Sequence, residues 1–355
     1  MCAYGHETRL QMLGGEPMST WNFRAAPAVA AMIMVLAGCT AAPSVASLAS
    51  LSSRPEQPDV TVAAIPSVDL AGLYVAEDEG LFARQGLHVT IRKIPSSKAV
   101  VAAQLKGQVD ISAGSYVAYI AAQAAGASFR ILAEASTLRP HTRVLVVTAN
   151  SAIENIDGLA GKTIGVNGTN SIGTLLISTL LQENGMSPAK VRFVTDQKGF
   201  PDMPGQLQQG AWQAAFLAEP YVTMAEETYG DQELVDLDQG ATTDFPIDGY
   251  VATWAWARQH PKTAAAFVHA IEEGQAIADS DPIAVQKAMA ESDQLSPVVT
   301  AVMALPGFPI GPVDVKRIQR TAEAMLQFGM LGQQDAAEVG RGTLVASMIG
   351  PAAAR

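Results

Sequence analysis

The sequence predicts an α/β protein of two similar lobes, each a mostly parallel sheet flanked by helices. Three observations carry that prediction. Short β-branched runs alternate with helix-length segments from residue 60 to residue 148. The alternation stops near Asn150 and then restarts. Residues 104–116 and 206–218 also echo each other, each reading as helix end, glycine, strand, polar residue and helix start. Strands alternating with helices mean βαβ units, and in such sheets ligands sit where strands end and helices begin. The spacing of the echo is far too long for a solenoid and suits a duplicated lobe.

The totals agree. The chain has 355 residues, 48% hydrophobic and 16% charged, enough for two domains and a large core. A formal net charge of −11, with no basic run, argues against a nucleic-acid partner. The only cysteines are Cys2 and Cys39, so the core has no disulfide, zinc-thiolate site or cysteine nucleophile.

Arg24 precedes an apolar run from Ala25 to Ala37, interrupted by Pro27 and ending Leu36-Ala37-Gly38-Cys39. This is an export signal, too short to span a bilayer. Met18 is a better start than Met1, because it gives the signal ordinary proportions. The reading is residues 1–38 as signal, 39–58 as an Ala/Ser/Pro-rich flexible tether, 59–148 with 249–345 as the first lobe, and 149–248 as the second.

Strands are expected at 60–65, 88–94, 109–113, 129–133 and 143–148 in the first half. A helix with Leu70, Leu73 and Tyr74 on one face follows the first strand, and Ser96-Ser97 caps another that ends at Gly107. Residues 116–125 form a third helix, opened by Gly114-Ser115. After the restart, residues 161–185 read as strand, polar turn and helix. Thr163, Ile164 and Val166 form the strand, Asn167 to Ser171 the turn, and Ile172, Leu175, Leu176, Thr179 and Leu180 the apolar helix face. Strands follow at 191–194, 214–217 and 249–257, the last containing Trp254 and Trp256 as core residues. Helices then dominate, opened by Pro261, Pro282 and Asp314.

The turn at 167–171 sits where a helix N-terminus presents unpaired N–H groups to a ligand. Gly168 and Gly173 are spaced as in a phosphate loop, but the lysine that should follow is absent. Residues 169–173 approach a nucleophile elbow but begin with Thr169 instead of glycine. His260 and His269, the downstream candidates for a base, lie in a predicted helix without a supporting motif. Asn167, Thr169, Asn170 and Ser171 are therefore read as solute-binding donors. Ser67 and Asp69 follow the first strand, Ser115 and Tyr116 the third, and both pairs are candidates for the opposing half of a clamp. Tyr116 is also placed to stack on a ring. Glu219, at a strand end, and Asp248, at the return crossing, complete the candidate set. His141 is assigned to a solvated linker. No His/Asp/Glu set has metal-ligand spacing, and neither metal nor cofactor is expected.

The chain resembles a known family at four places in order. Ala76-x-x-x-Gly80-Leu81-Phe82-x-x-x-Gly86-Leu87-x-Val89 is similar to the signature of substrate-binding proteins of nitrate/sulfonate/taurine-type ABC importers, also described as the sulfonate-binding and thiamine-precursor-binding-like family. Residues 107–111, residues 157–166 and Ala218-Glu219-Pro220-Tyr221 match further landmarks, over roughly residues 58–280. Gln213 departs from the aspartate of many relatives. The resemblance implies a type II periplasmic-binding-protein fold with a hinge of two crossing segments, closing on a small solute for delivery to an ABC permease. The pyrimidine-synthesising members carry a cysteine-rich iron motif, which this chain lacks, so no enzyme activity is implied. The Leu-Ala-Gly-Cys ending resembles the bacterial lipoprotein signal, which implies lipidation at Cys39 and anchoring to the outer face of the membrane. The alternatives are an enzyme on this fold acting on a small carboxylate, and a ligand-sensing module.

Overall fold

A computed structural model of the protein describes residues 54–196 and 198–350. The signal, Cys39 and most of the tether lie outside the described residues. All described residues belong to one unit within residues 49–355, and it holds two five-stranded sheets.

The first sheet contains β1 (Asp59–Ala64), β2 (His88–Lys93), β3 (Ile111–Ser115) and β4 (Phe129–Thr137), together with β10 (Pro246–Thr253). The second contains β6 (Thr163–Val166), β7 (Arg192–Thr195), β8 (Ala214–Ala218) and β9 (Gln232–Asp236), together with β5 (Arg143–Val147). Their orders are β2-β1-β3-β10-β4 and β7-β6-β8-β5-β9, so the same topology occurs twice. In each sheet one strand runs against the other four: β10 is antiparallel to β3 and β4, and β5 to β8 and β9. That strand is the one entering from the other lobe. The echo seen in the sequence falls on β3 and β8, the third strand of each lobe.

Two segments, residues 138–142 and 237–245, make the crossings. The first crossing thus precedes β5, and residues 143–148, read with the first lobe, are built into the second sheet. Val144, Leu145 and Val146 are fully buried there. β9 was not expected: its Gln/Glu/Asp ends mask a short edge strand. Residues 254–257 were read as strand but form a helix, Trp254–Gln259, because Thr253 caps it, its Oγ1 accepting from Trp256 N at 3.2 Å. Both tryptophans are half-buried on that helix.

Helices lie directly on the sheets. A Cβ on Gly173 would stand 2.5 Å from the Phe216 ring, so the helix Ile172–Glu183 rests its backbone on that ring of β8. In the first lobe the helices Ala71–Asp78 and Pro261–Ser280 touch backbone to backbone, a Cβ on Gly274 falling 2.4 Å from the Gly72 carbonyl. The helix Val315–Gln327 is capped by the Asp314 carboxylate, which accepts from Lys316 N and Arg317 N, and buries Ile318, Ala322 and Met325.

Candidate functional site

A cavity of about 600 Å³ lies between the lobes. From the first lobe it is lined by residues 95–98 after β2, by Ser115 at the end of β3, and by Val117, Ala118, Ala121 and Ala122. From the second it is lined by residues 167–172 after β6, and by Thr195, Asp196 and Gly199 after β7. The lining residues therefore follow strand ends in both sheets, as the topology requires.

Three helices begin at this cavity: Ser97–Leu105, Tyr116–Ala124 and Ile172–Glu183. Their starts are locally satisfied. Ser96 Oγ accepts from Ala99 N at 3.3 Å, Ser115 Oγ accepts from Val117 N at 3.2 Å, and Ser171 N donates to Thr174 Oγ1 at 2.9 Å. Ser97 Oγ accepts from Ser115 N at 3.0 Å and fixes two of the starts together. The remaining first-turn N–H groups and three dipole ends give the site a positive character. Lys98 adds a full charge and has no ion-pair partner among the described residues. The Thr195 hydroxyl is buried at the cavity without a partner among those residues. The carboxylate present, Asp196, is partly occupied: its Oδ1 accepts from Lys198 N and Gly199 N at 2.7 and 3.1 Å. Val101, Val117, Ala118, Ala121, Ala122 and Ile172 form an apolar wall. The lobes meet beside the cavity, where Gly199 (φ +77°) leaves only enough space for a hydrogen: a Cβ would sit 2.7 Å from the Pro95 carbonyl oxygen.

Of the residues singled out from sequence, Ser115, Asn167, Thr169, Asn170 and Ser171 line this cavity. Asn170 adopts a left-handed φ of 53°, and Ser171 Oγ lies 3.4 Å from Asn167 Oδ1. Ser67, Asp69, Tyr116, Glu219 and Asp248 are buried elsewhere. Tyr116 is fully buried against the Gly249 backbone, which occupies the space a ligand ring would need. Glu219 accepts from Thr223 N, Thr223 Oγ1 and Ala304 N at 3.1, 2.8 and 3.0 Å. It therefore holds its own helix and a segment of the other lobe, and burial pushes its carboxyl up to about 7.

Ser67, Asp69 and Asp248 surround a residue the sequence reading passed over, Arg143. Its Nη2 donates to Asp69 Oδ2 at 2.6 Å and lies 3.7 Å from Asp248 Oδ2. Asp69 also accepts from Ser136 Oγ at 3.2 Å and from Ser67 Oγ. Asp248 pairs across the ladder with Ser115, one residue behind the cavity wall. Burial and the neighbouring Asp69 charge push the Asp248 carboxyl up to about 8, against the pull of Arg143. Because Arg143 belongs to β5 and both aspartates to the first lobe, the cluster ties the lobes together at the crossing.

The reading also missed Ser96, Ser97, Lys98, Thr195 and Asp196. One signal was available for Lys98. A lysine in the first turn of a helix opposes the dipole, and a bound anion removes that conflict.

Two sheets of one topology around an interlobe cleft define a type II periplasmic-binding fold. The family model described as "NMT1/THI5 like" matches residues 67–284, and the chain belongs to that family. No curated protein sequence matches it. The alkanesulfonate-binding protein of Xanthomonas axonopodis pv. citri bound to MOPS is similar in structure, with a TM-score of 0.70 at 16% identity over 83% of this chain and 99% of that one. The periplasmic aliphatic sulphonate binding protein of Escherichia coli gives 0.65 at 19% identity, over 78% and 95%. The periplasmic nitrate-binding protein of Synechocystis PCC 6803 gives 0.68 at 15% identity, over 82% and 88%. At these identities the likeness shows the fold.

Proposed function

We propose that this protein is an extracytoplasmic solute-binding component that closes its lobes on a small organic anion and delivers it to an ABC importer. One observation carries the reading: three helix N-termini and Lys98 converge on an interlobe cavity whose other wall is apolar. Each lobe supplies half of the lining, so a ligand is fully contacted only in the closed form and shifts the population toward it. The cavity suits an organic ligand, because pockets of about 300–1,000 Å³ hold drug-sized molecules. The six apolar wall residues match a hydrocarbon portion, and the helix ends match an acid group. Among the solutes the family resemblance suggests, this favours alkanesulfonate-type anions over nitrate or a thiamine-type pyrimidine. The solved relatives named above for sulfonates and nitrate agree with a binding role.

Among the described residues no histidine lines the cavity, and its groups are suited to holding a ligand, which favours binding over the enzyme alternative. Anchoring through lipidated Cys39 to the outer face of the cell membrane completes the reading. Native mass spectrometry of the freshly purified protein tests it. An acidic organic solute is expected at one per chain, released intact. A covalently altered product accumulating over time would replace the binding reading with an enzymatic one.

A further inference from the structure

Outside the solute cavity, the fold assembles a set of metal-type ligands that are scattered in the sequence. His141 lies on the first crossing in a left-handed backbone conformation, φ 66°. Its Nδ1 is 2.8 Å from Glu233 Oε2, and its backbone N–H donates to Asp236 Oδ2 at 3.0 Å. One ligand atom from each of the three side chains lies within 4.8 Å of the other two. Ligand atoms around a tetrahedral zinc with bonds of about 2.0–2.1 Å stand about 3.3 Å apart.

Glu233 and Asp236 are three apart, and in a regular strand such residues point to opposite faces. Here β9 is irregular against β5: Leu145 pairs with Val235, Val146 pairs with Glu233, and Leu234 is the extra residue. A bulge re-aims the side chains that follow it, and both carboxylates reach His141, Glu233 at its imidazole and Asp236 at its backbone N–H. Glu226, on the helix Tyr221–Tyr229, adds a third negative charge that acts on both Glu233 and His141. No lysine or arginine pairs with any of these three carboxylates among the described residues, and His141 is the one basic partner of Glu233.

We propose that His141, Glu233 and Asp236 bind a first-row transition-metal dication of the zinc class, fastening the first crossing to β9. The imidazole decides the class, since calcium and magnesium take oxygen ligands while a mixed nitrogen and carboxylate set suits zinc and its neighbours. The ion would restrain one of the two connections between the lobes and leave the solute cavity untouched.

The test is calorimetric titration of the purified, chelator-stripped full chain with zinc chloride, with Co²⁺ absorption as a second readout of tetrahedral nitrogen and oxygen ligation. One zinc per chain is expected. His141→Ala and Glu233→Gln should each weaken it at least about tenfold, whereas Lys98→Met should leave it unchanged. All three sites are at the surface or the cavity, and a wild-type melting curve for the metal-free variants checks folding. Absence of saturable zinc binding, or equal binding by wild type and both ligand variants, would overturn the proposal.

Discussion

Replacing Arg143 by methionine isolates the buried cluster at the crossing. Arg143 and Asp69 have side chains only 1% and 3% exposed and are joined at 2.6 Å. Removing one partner of such a pair strands a buried charge, at a cost of about 3–5 kcal/mol. Asp69 keeps its Ser67 and Ser136 hydroxyl donors, so the low end, about 3 kcal/mol, is expected. Methionine fills most of the volume beside Phe216, whose ring lies 5.9 Å from the guanidinium, so little of the loss is a cavity effect. The double variant Arg143→Met/Asp69→Asn removes the stranded charge and should return to within about 1 kcal/mol of wild type. Urea unfolding at pH 7 with an unchanged m-value measures both. A single variant that loses less than about 1 kcal/mol, or a double variant no better than the single, would refute the cross-lobe ion pair as described.

Three further expectations follow from the same geometry. Lys98→Met should weaken an anionic solute by about 1.5–3 kcal/mol, the worth of a hydrogen bond to a charged group, and leave the urea midpoint unchanged; equal affinity in calorimetry would remove Lys98 from the site. Gly199→Ala places a methyl against the Pro95 carbonyl and imposes a left-handed conformation at about 1–2 kcal/mol. X-ray scattering should therefore show less compaction at saturating solute, and wild-type compaction would contradict the closed contact. Asp248 and Glu219 have carboxyls raised by burial to about 8 and about 7. The folded state holds their protons more tightly than the unfolded chain does, so their stabilisation is complete at acid pH and lost as pH rises toward 8. The melting temperature should fall from pH 5 to pH 8, with a shallower slope in Asp248→Asn; a rise over that window would show that other groups dominate.

Much of the fold was legible because its signals are local. Residues 161–185 announce themselves by a β-branched run, a cap-rich turn and apolar helical spacing, and the echo of β3 in β8 identifies the duplicated lobe. Trp254 and Trp256 misled because their alternation with small residues mimics a strand, while the deciding interaction is a single threonine cap. The site divides in the same way. Most of its second-lobe half is one contiguous turn and was read directly, whereas Thr195 and Asp196 come from the end of β7 and were not. The first-lobe half depends on where a helix start points, so Ser96, Ser97 and Lys98 looked like capping alone. Ser67 and Asp69 stood out after the first strand and Asp248 at the return crossing, all three as ligand-binding candidates, but their common partner, Arg143, looked in sequence like the first residue of an ordinary strand. The sheet register that seals Tyr116 over Gly249 joins residues far apart in the chain, as does the bulge that aims Glu233 and Asp236 at His141. No periodicity reports contacts of that range.

As proposed, the interlobe cavity binds an organic anion by its acid group and its hydrocarbon portion together. Calorimetric titration with nitrate and with methane-, propane- and pentanesulfonate tests it most directly. Each methylene buried against the apolar wall contributes about 0.8 kcal/mol, so affinity should rise about fourfold per carbon until the cavity is filled, with nitrate weakest. Nitrate binding as tightly as the sulfonates, or affinity independent of chain length, would contradict the account.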